Sequence, residues 1–331
     1  MGTKAQQCRK DIIMFIRTIS FLYDSFASKL FKTWDEIVEE AHSLGNHVIV
    51  THDDKFHADE LLAAALIIDL CPENFVVIRT RTIPTNLNNK DWVVDVGGGA
   101  YDHHEKDRET YPNGVKKAAC GKVAEVLLRE DPKTLEKLQR RLLWSVEAQD
   151  NGQSLQELGL ASSKLSFVST LLPPWNAPQF HINTCFTRAL DMTRTILYSI
   201  LDHIMAEDKA EAILEALQDD EIVILPKFVP WTAWAVEKWP KARFVVFPAA
   251  NGKGFNAQAV PLTAVPGDFR NRGGFPEAWG GLRDEELAKV SGIPGAIFCH
   301  GDLWLGVWDT LDHAIEAAKA AIAATQVVVS P

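Results

Sequence analysis

Two short stretches concentrate imidazoles and carboxylates at a spacing that suits metal chemistry. The first is Thr51-His52-Asp53-Asp54-Lys55-Phe56-His57-Ala58-Asp59-Glu60, and the second runs from Asp95 through Gly97, Gly98 and Gly99 to Tyr101-Asp102-His103-His104. Helix capping accounts for an acid such as Asp53 or Asp59 at a helix start, but it explains neither His52 nor His57. An acid inside the apolar run Val93-Val94-Asp95-Val96 is costly to bury unless it is paired or bound to a metal. A third element, Gln149-Asp150-Asn151-Gly152, taken alone is only a helix end. Together the three places offer His and carboxylate ligands in the mixture that suits Mn2+ or a similar ion, and enough of them for two ions. The chemistry implied is metal-assisted hydrolysis.

The elements that must position these residues alternate. His47 to Thr51 is a short β-branched run, and Ala58 to Leu70 is rich in strong helix formers, so strand, loop and helix are expected in that order. His52 then leaves the carboxyl end of a strand, where ligands bind in open α/β sheets. Phe75 to Ile78 and Trp92 to Val96 predict two more strands, and Gly121 to Arg129 and Thr134 to Ala148 predict helices. The Leu-Leu-Pro-Pro-Trp-Asn segment over 171–176 cannot continue a helix, and a long helical pattern follows from about Thr187 to Leu217. Beyond it, Glu221 to Leu225, Arg243 to Pro248, Phe255 to Val260 and Ala296 to Cys299 predict strands, the second and third joined across Asn251-Gly252, before an Ala-rich helix. The expected fold class is α/β: an N-terminal helical extension over 1–45, a parallel-sheet catalytic domain over 46–185, a connecting helix over 186–218 and a smaller α+β domain over 219–331.

Composition sets the limits. The 331 residues, 47% hydrophobic, suffice for two domains. Arg17, Asp24 and Lys29 interrupt the most apolar stretch, so no membrane span is expected. Lys4, Arg9 and Lys10 precede that stretch, but Asp11 and later Asp35, Glu36, Glu39 and Glu40 make the region acidic. A cytoplasmic location is expected, with mitochondrial or nuclear placement left open. Ile12, Ile13, Phe15, Ile16, Ile19, Phe21 and Leu22 form an apolar set that can dock on a partner or on a second subunit of a homo-oligomer. The five cysteines are odd in number and widely spaced, which supports neither a disulfide framework nor a zinc ribbon. A net charge of −10 excludes a broad electrostatic grip on nucleic acid, so a phosphate-bearing substrate must be held locally. The ten tryptophans, among them Trp231, Trp234, Trp239, Trp304 and Trp308, are expected in the core rather than as stacking platforms.

The order His52, His57-x-Asp59, Asp95, Asp102-His103-His104, Asp150 resembles the sequential motifs of the DHH phosphoesterase superfamily. Thr-His-Asp-x-x-Phe-His-x-Asp-Glu from Thr51, Tyr101-Asp-His-His, and Pro276-Glu-Ala-Trp-Gly-Gly-Leu-Arg-Asp-Glu-Glu-Leu287 look more closely like the family of melanocyte proliferating gene proteins, over about Val48 to Ile322. The resemblance implies a 3′ to 5′ exonuclease acting on RNA, with a DHH catalytic domain and a C-terminal substrate-holding domain. It implies that His52, His57 and Asp95 hold one ion, and that Asp59, Asp95, His103 and Asp150 hold the other. Asp95 is then the bridge, and the ions are Mn2+ or, alternatively, Mg2+. His104 is placed facing the scissile phosphate. In the C-terminal part, Arg270 and Arg272 of Phe269-Arg-Asn-Arg-Gly-Gly, together with His300 and Gly306, are the expected substrate contacts.

Two departures qualify the match: Asp54 stands where relatives usually carry glycine, and Val307 where the family tends to end the turn in paired glycines. An extra carboxylate at Asp54 can ligate or interfere, and Val307 bears on substrate grip. The alternatives are a hydrolase of short oligonucleotides or small phosphoanhydrides, and a catalytically silent RNA- or protein-binding module.

Overall fold

The computed structural model describes residues 33–104, 108–264 and 267–327. The apolar set from Ile12 to Leu22 lies outside the described residues. The chain divides into two compact units, with the boundary between Met205 and Ala206.

The first unit opens with helix α1 (Trp34–Ser43), which begins in a capping box: the Thr33 side chain accepts from Glu36 N, and the Glu36 carboxylate accepts from Thr33 N at 2.6 Å. Its Ile37, Val38 and Ala41 are buried beside strands β1 (His47–Thr51) and β2 (Phe75–Arg79). These strands and β3 (Trp92–Val93) form a parallel sheet in the order β2-β1-β3. Helix α2 (Ala58–Leu70) is buried continuously from Asp59 to Ile68, as befits a helix that is apolar all round. It packs on α3 (Ala119–Leu127) and on α5 (Trp144–Asp150).

Three expectations need correction here. The strand expected over Trp92 to Val96 ends at Val93, because Asp95 adopts φ 56° and turns the chain out of the sheet. The helix expected over Thr134 to Ala148 is interrupted: α4 (Pro132–Leu138) and α5 are joined by a π-helical turn over Gln139–Leu143. After the short α6 (Val168–Leu171), the long helix α7 (Gln179–Glu215) starts directly after Pro178, well before Thr187, and runs from the first unit into the second.

The second unit is a five-stranded mixed sheet in the order β4-β5-β6-β8-β7, built from β4 (Ile222–Ile224), β5 (Phe244–Pro248), β6 (Phe255–Ala259), β7 (Ala296–Cys299) and β8 (Leu305–Trp308). Only β4 and β5 are parallel. Strand β8 was not among the expected elements, since Gly306 and a preceding polar turn obscure it. Helices α8 (Thr232–Lys238), α9 (Asp284–Ser291) and α10 (Leu311–Val327) complete the unit. The small faces of Ala314, Ala317, Ala318 and Ala321 on α10 join a core holding Phe275, Trp279 and Trp308. Trp231 and Trp239 fill a neighbouring cluster, so these tryptophans pack rather than present free rings. No helix among the described residues is long and apolar enough to cross a membrane. Cys120, Cys185 and Cys299 are free thiols.

Candidate metal centre

The carboxyl ends of β1 and β3 deliver the two histidine-acid stretches to one place. Beyond Thr51, His52 follows directly, and His57 stands just before α2, where its backbone N–H donates to Glu60 Oε1 at 2.8 Å. Beyond β3, Asp95 occupies left-handed space at φ 56° while its N–H is held by Tyr101 O at 2.9 Å. Aspartate tolerates that region better than most residues, yet it costs on the order of 1–3 kcal/mol. Gly97 and Gly98, at φ 83° and 69°, let the loop return to Asp102 and His103. The strained turn aims the Asp95 carboxylate at both sides of the centre.

Asp95 Oδ1 lies 2.9 Å from His103 Nε2, and Oδ2 lies 3.4 Å from His52 Nε2. His103 Nε2 is also 3.1 Å from Asp150 Oδ2 and 3.6 Å from Asp59 Oδ2. His52 Nε2 is 3.2 Å from Glu60 Oε1, and His57 Nδ1 is 4.0 Å from Asp150 Oδ1. The Asp59 carboxylate is pinned at the start of α3, accepting from Ala119 N at 2.9 Å and Cys120 N at 2.8 Å, a helix N-terminus that favours negative charge. All six residues expected as metal ligands therefore meet.

The donor set fits a divalent cation. His103 Nε2 and Asp95 Oδ1 are buried and close to one another, yet neither completes a hydrogen bond. Buried polar atoms left in that state are costly, and lone pairs that converge without bonding to each other suit an ion between them. Ligand atoms of His52, His57, Glu60 and Asp95 lie within 4.8 Å of one another, as do those of Asp59, His103 and Asp150 and those of Asp95, His103 and His104. Burial alone would lower His52, but the Asp95 and Glu60 carboxylates outweigh it and push it up to about 9. His103 is likewise lowered by burial and raised more strongly by Asp150 and Asp95, to about 10. Burial, together with the neighbouring Asp95 and Asp150 charges, holds Asp59 well above the usual carboxylate range. Four acids crowded around imidazoles create a demand for positive charge.

Two members of the centre were not assigned a role from sequence. Glu60 is fully buried, and one of its oxygens has no hydrogen-bond partner. Asp102 accepts from Gly98 N at 2.7 Å, His103 N at 2.7 Å and His104 N at 3.2 Å, and its Oδ1 lies 2.7 Å from His104 Nδ1. It thereby fixes the largely exposed His104 ring at the rim of the centre.

An open cleft of about 700 Å3 adjoins the centre, lined by His52, His57, Asp95 and His104 and by the cations Lys55 and Arg81. Asp54 does not join the ligand clusters; its carboxylate pairs with Arg81.

The four expected substrate contacts all lie in the second unit. Arg270 is exposed and paired with Asp268, Nη2 to Oδ2 at 2.7 Å. Arg272 donates to four backbone carbonyls: those of Trp239, Ala242 at 3.0 Å, and Ala235 and Val236, both at 3.2 Å. Its guanidinium thus closes the end of α8. His300 Nδ1 accepts from Asp302 N at 3.0 Å. Gly306 is a packing glycine, since a Cβ there would stand 2.4 Å from the Trp308 ring. Val307 sits in β8 opposite Asn256 and Phe298.

The family model MYG1_exonuc, described as "Uncharacterised protein family (UPF0160)", matches residues 48–322. A MYG1 protein of Schizosaccharomyces pombe is 32% identical over 321 residues, covering 83% of this chain and 97% of its own length. A human protein named MYG1 exonuclease is 33% identical over 325 residues, covering 83% of this chain and 85% of its own. A MYG1 protein of Chlamydia pneumoniae is 32% identical over 294 residues, 82% of this chain and 95% of its own. No solved structure matches the chain. With most of its length matched by the family model and by these relatives, this chain belongs to the MYG1 family.

Proposed function

We propose that this chain is a phosphodiester hydrolase of the DHH type that shortens RNA from the 3′ end with two divalent ions, Mn2+ or Mg2+. The observation that carries the reading is Asp95, whose two oxygens face His103 on one side and His52 on the other. A carboxylate shared by two ligand clusters is what a paired-ion site requires. The name of the human relative, MYG1 exonuclease, points the same way.

His52, His57 and Asp95 would hold one ion, with Glu60 beside them. Asp59, Asp95, His103 and Asp150 would hold the other. Two ions held there would lower the pKa of a water and offset charge on phosphoryl oxygens. The chain's own groups do the rest. Asp102 orients His104, and His104 gives a hydrogen bond or proton to the phosphoryl or leaving oxygen. Lys55 and Arg81 bring positive charge to the cleft, where a phosphate competes with Asp54 for the guanidinium. In the second unit, Arg270 and His300 contact the substrate. The exposed Arg270–Asp268 pair is weak enough to yield to phosphate. Arg272 and Gly306 act there indirectly, Arg272 by holding the carbonyls at the end of α8 and Gly306 by leaving room for the Trp308 ring.

The test is metal-stripped protein given Mn2+ and 5′-labelled RNA, beside Asp95→Ala. Stepwise shortening from the 3′ end that needs both the ion and Asp95 is the expected result. Intact RNA in the presence of bound metal sinks the reading.

A further inference from the structure

A second group of imidazoles and a carboxylate lies at the opposite edge of the three-stranded sheet. Strand β1 runs from His47 to Thr51, so at about 3.3 Å per residue His47 stands about 13 Å from the end that leads into His52. Asp91 precedes β3, whose Trp92 pairs with Ile49, which puts Asp91 at the same amino edge. His42 lies in the last turn of α1.

The three side chains converge. His42 Nε2 is 3.0 Å from Asp91 Oδ2 and 3.2 Å from Oδ1, and His47 Nδ1 is 3.6 Å from Asp91 Oδ1. One ligand atom from each lies within 4.8 Å of the others. Nitrogen and oxygen ligands at about 2.0–2.1 Å around a tetrahedral Zn2+ are about 3.3 Å apart, and the observed separations straddle that spacing.

Ordinary hydrogen bonding does not account for the group. His47 Nδ1 is buried and has no hydrogen-bond partner. His42 Nε2 faces both the Asp91 carboxylate and Asn88 Nδ2, the latter at 2.9 Å. A ring nitrogen either donates or accepts, so no tautomer of His42 satisfies an acceptor and a donor at once. The Asp91 side chain is fully buried and held independently of the histidines, accepting from Val48 N at 2.9 Å and Asn88 N at 2.7 Å. The carboxylate is thus preset for a ligand that takes the lone pairs of both rings.

We propose that His42, His47 and Asp91 form a separate site for a divalent transition ion, Zn2+ by its imidazole-rich ligand set. The ion ties α1 to the amino edge of the sheet, and its fourth position is left for water. This site is independent of the hydrolytic centre and shares no residue with it.

Metal-stripped full-length protein is dialysed against Zn2+, and bound zinc is counted by mass spectrometry for the wild type, Asp95→Ala and the double variant His42→Gln/His47→Gln. The double variant is expected to bind one equivalent fewer and to lose part of the Zn2+-induced rise in unfolding temperature. Asp95→Ala is expected to keep that equivalent, so failure of this site and failure of the hydrolytic reading are separable. Should the double variant not fold, diethylpyrocarbonate labelling of the wild type decides the matter: Zn2+ is expected to protect His42 and His47 but not the exposed His203. Equal zinc stoichiometry in a folded double variant, or labelling of His42 and His47 unchanged by Zn2+, overturns the proposal.

Discussion

Asp102 Oδ1 lies 2.7 Å from His104 Nδ1, and the same carboxylate gathers the backbone N–H groups of Gly98, His103 and His104. One acid therefore sets both the loop and the ring at the rim of the centre. Replacing it with the isosteric amide, Asp102→Asn, keeps the volume but places an NH2 group where acceptors are needed. Turnover on RNA is expected to fall about 10–100-fold, the usual scale for a group that orients another. A large rise in KM with unchanged kcat would show instead that Asp102 matters for substrate binding.

His104→Ala separates chemistry from metal binding. The ring is mostly exposed and lies outside the buried pairs at His52 and His103. Turnover is expected to drop by about 10²–10⁴, the range for a proton donor, while bound metal counted by mass spectrometry stays at the wild-type level. Loss of an ion would assign His104 as a ligand.

The pH dependence of folding has an identifiable contributor in Glu147. Burial pushes its carboxyl from 4.5 up to about 8, against the opposing hydrogen bonds from Ala118 N and Tyr111. Below 4.5 the folded and unfolded chains both hold this proton. Between 4.5 and 8 only the folded chain does, so this contribution to stability declines as pH rises through that window. Urea unfolding is expected to show a shallower loss over this range for Glu147→Gln than for the wild type. Parallel curves would remove Glu147 as the cause.

Gly121 is required by space rather than by backbone angle. A Cβ there would meet Glu147 Oε1 at 1.8 Å and Tyr111 Oη at 2.6 Å. Gly121→Ala is expected to destabilise the protein by about 1–3 kcal/mol through overpacking, read as a lower urea midpoint with an unchanged slope. A stable variant would mean that the pair moves aside freely.

Arg272→Ala tests whether this guanidinium holds backbone or substrate. Hydrogen bonds from a charged group contribute about 1.5–3 kcal/mol, and Arg272 serves four carbonyls around the end of α8. A stability loss on the order of 2 kcal/mol is expected by thermal unfolding, with little recovery in Arg272→Lys, because an ammonium lacks the planar fork. Unchanged stability with weakened RNA binding would favour direct phosphate contact.

The centre was legible in sequence wherever chemistry is written in residue type. His52, His57, Asp59, Asp95, His103 and Asp150 stand out because capping and turns do not explain histidines among acids, and the structure brings all six together. Glu60 escaped for a local reason. It follows Asp59 in a helix buried continuously from Asp59 to Ile68, so no polar face marks which acid turns inward and which merely complements the helix start.

Other features stayed out of reach of the sequence where a single backbone angle or a distant partner decides. Nothing in Val93-Val94-Asp95-Val96 announces that Asp95 breaks the strand at φ 56°. Arg272 looks from its neighbours like a free loop cation, and only the approach of α8 engages four of its five N–H donors. Asp54 finds Arg81 across the mouth of the cleft, a pairing that no local pattern contains.

The sequence by itself determined the alternation of strands and helices and singled out the candidate metal ligands. These follow from local propensity, hydrophobic period and the few side chains that bind ions. Tertiary structure alone decided which oxygen faces which nitrogen, that Asp102 orients His104, and that His42, His47 and Asp91 meet at the far edge of the sheet. Contacts between residues remote in the chain depend on strand register and helix packing, and those are set by the whole core rather than by any short stretch of sequence.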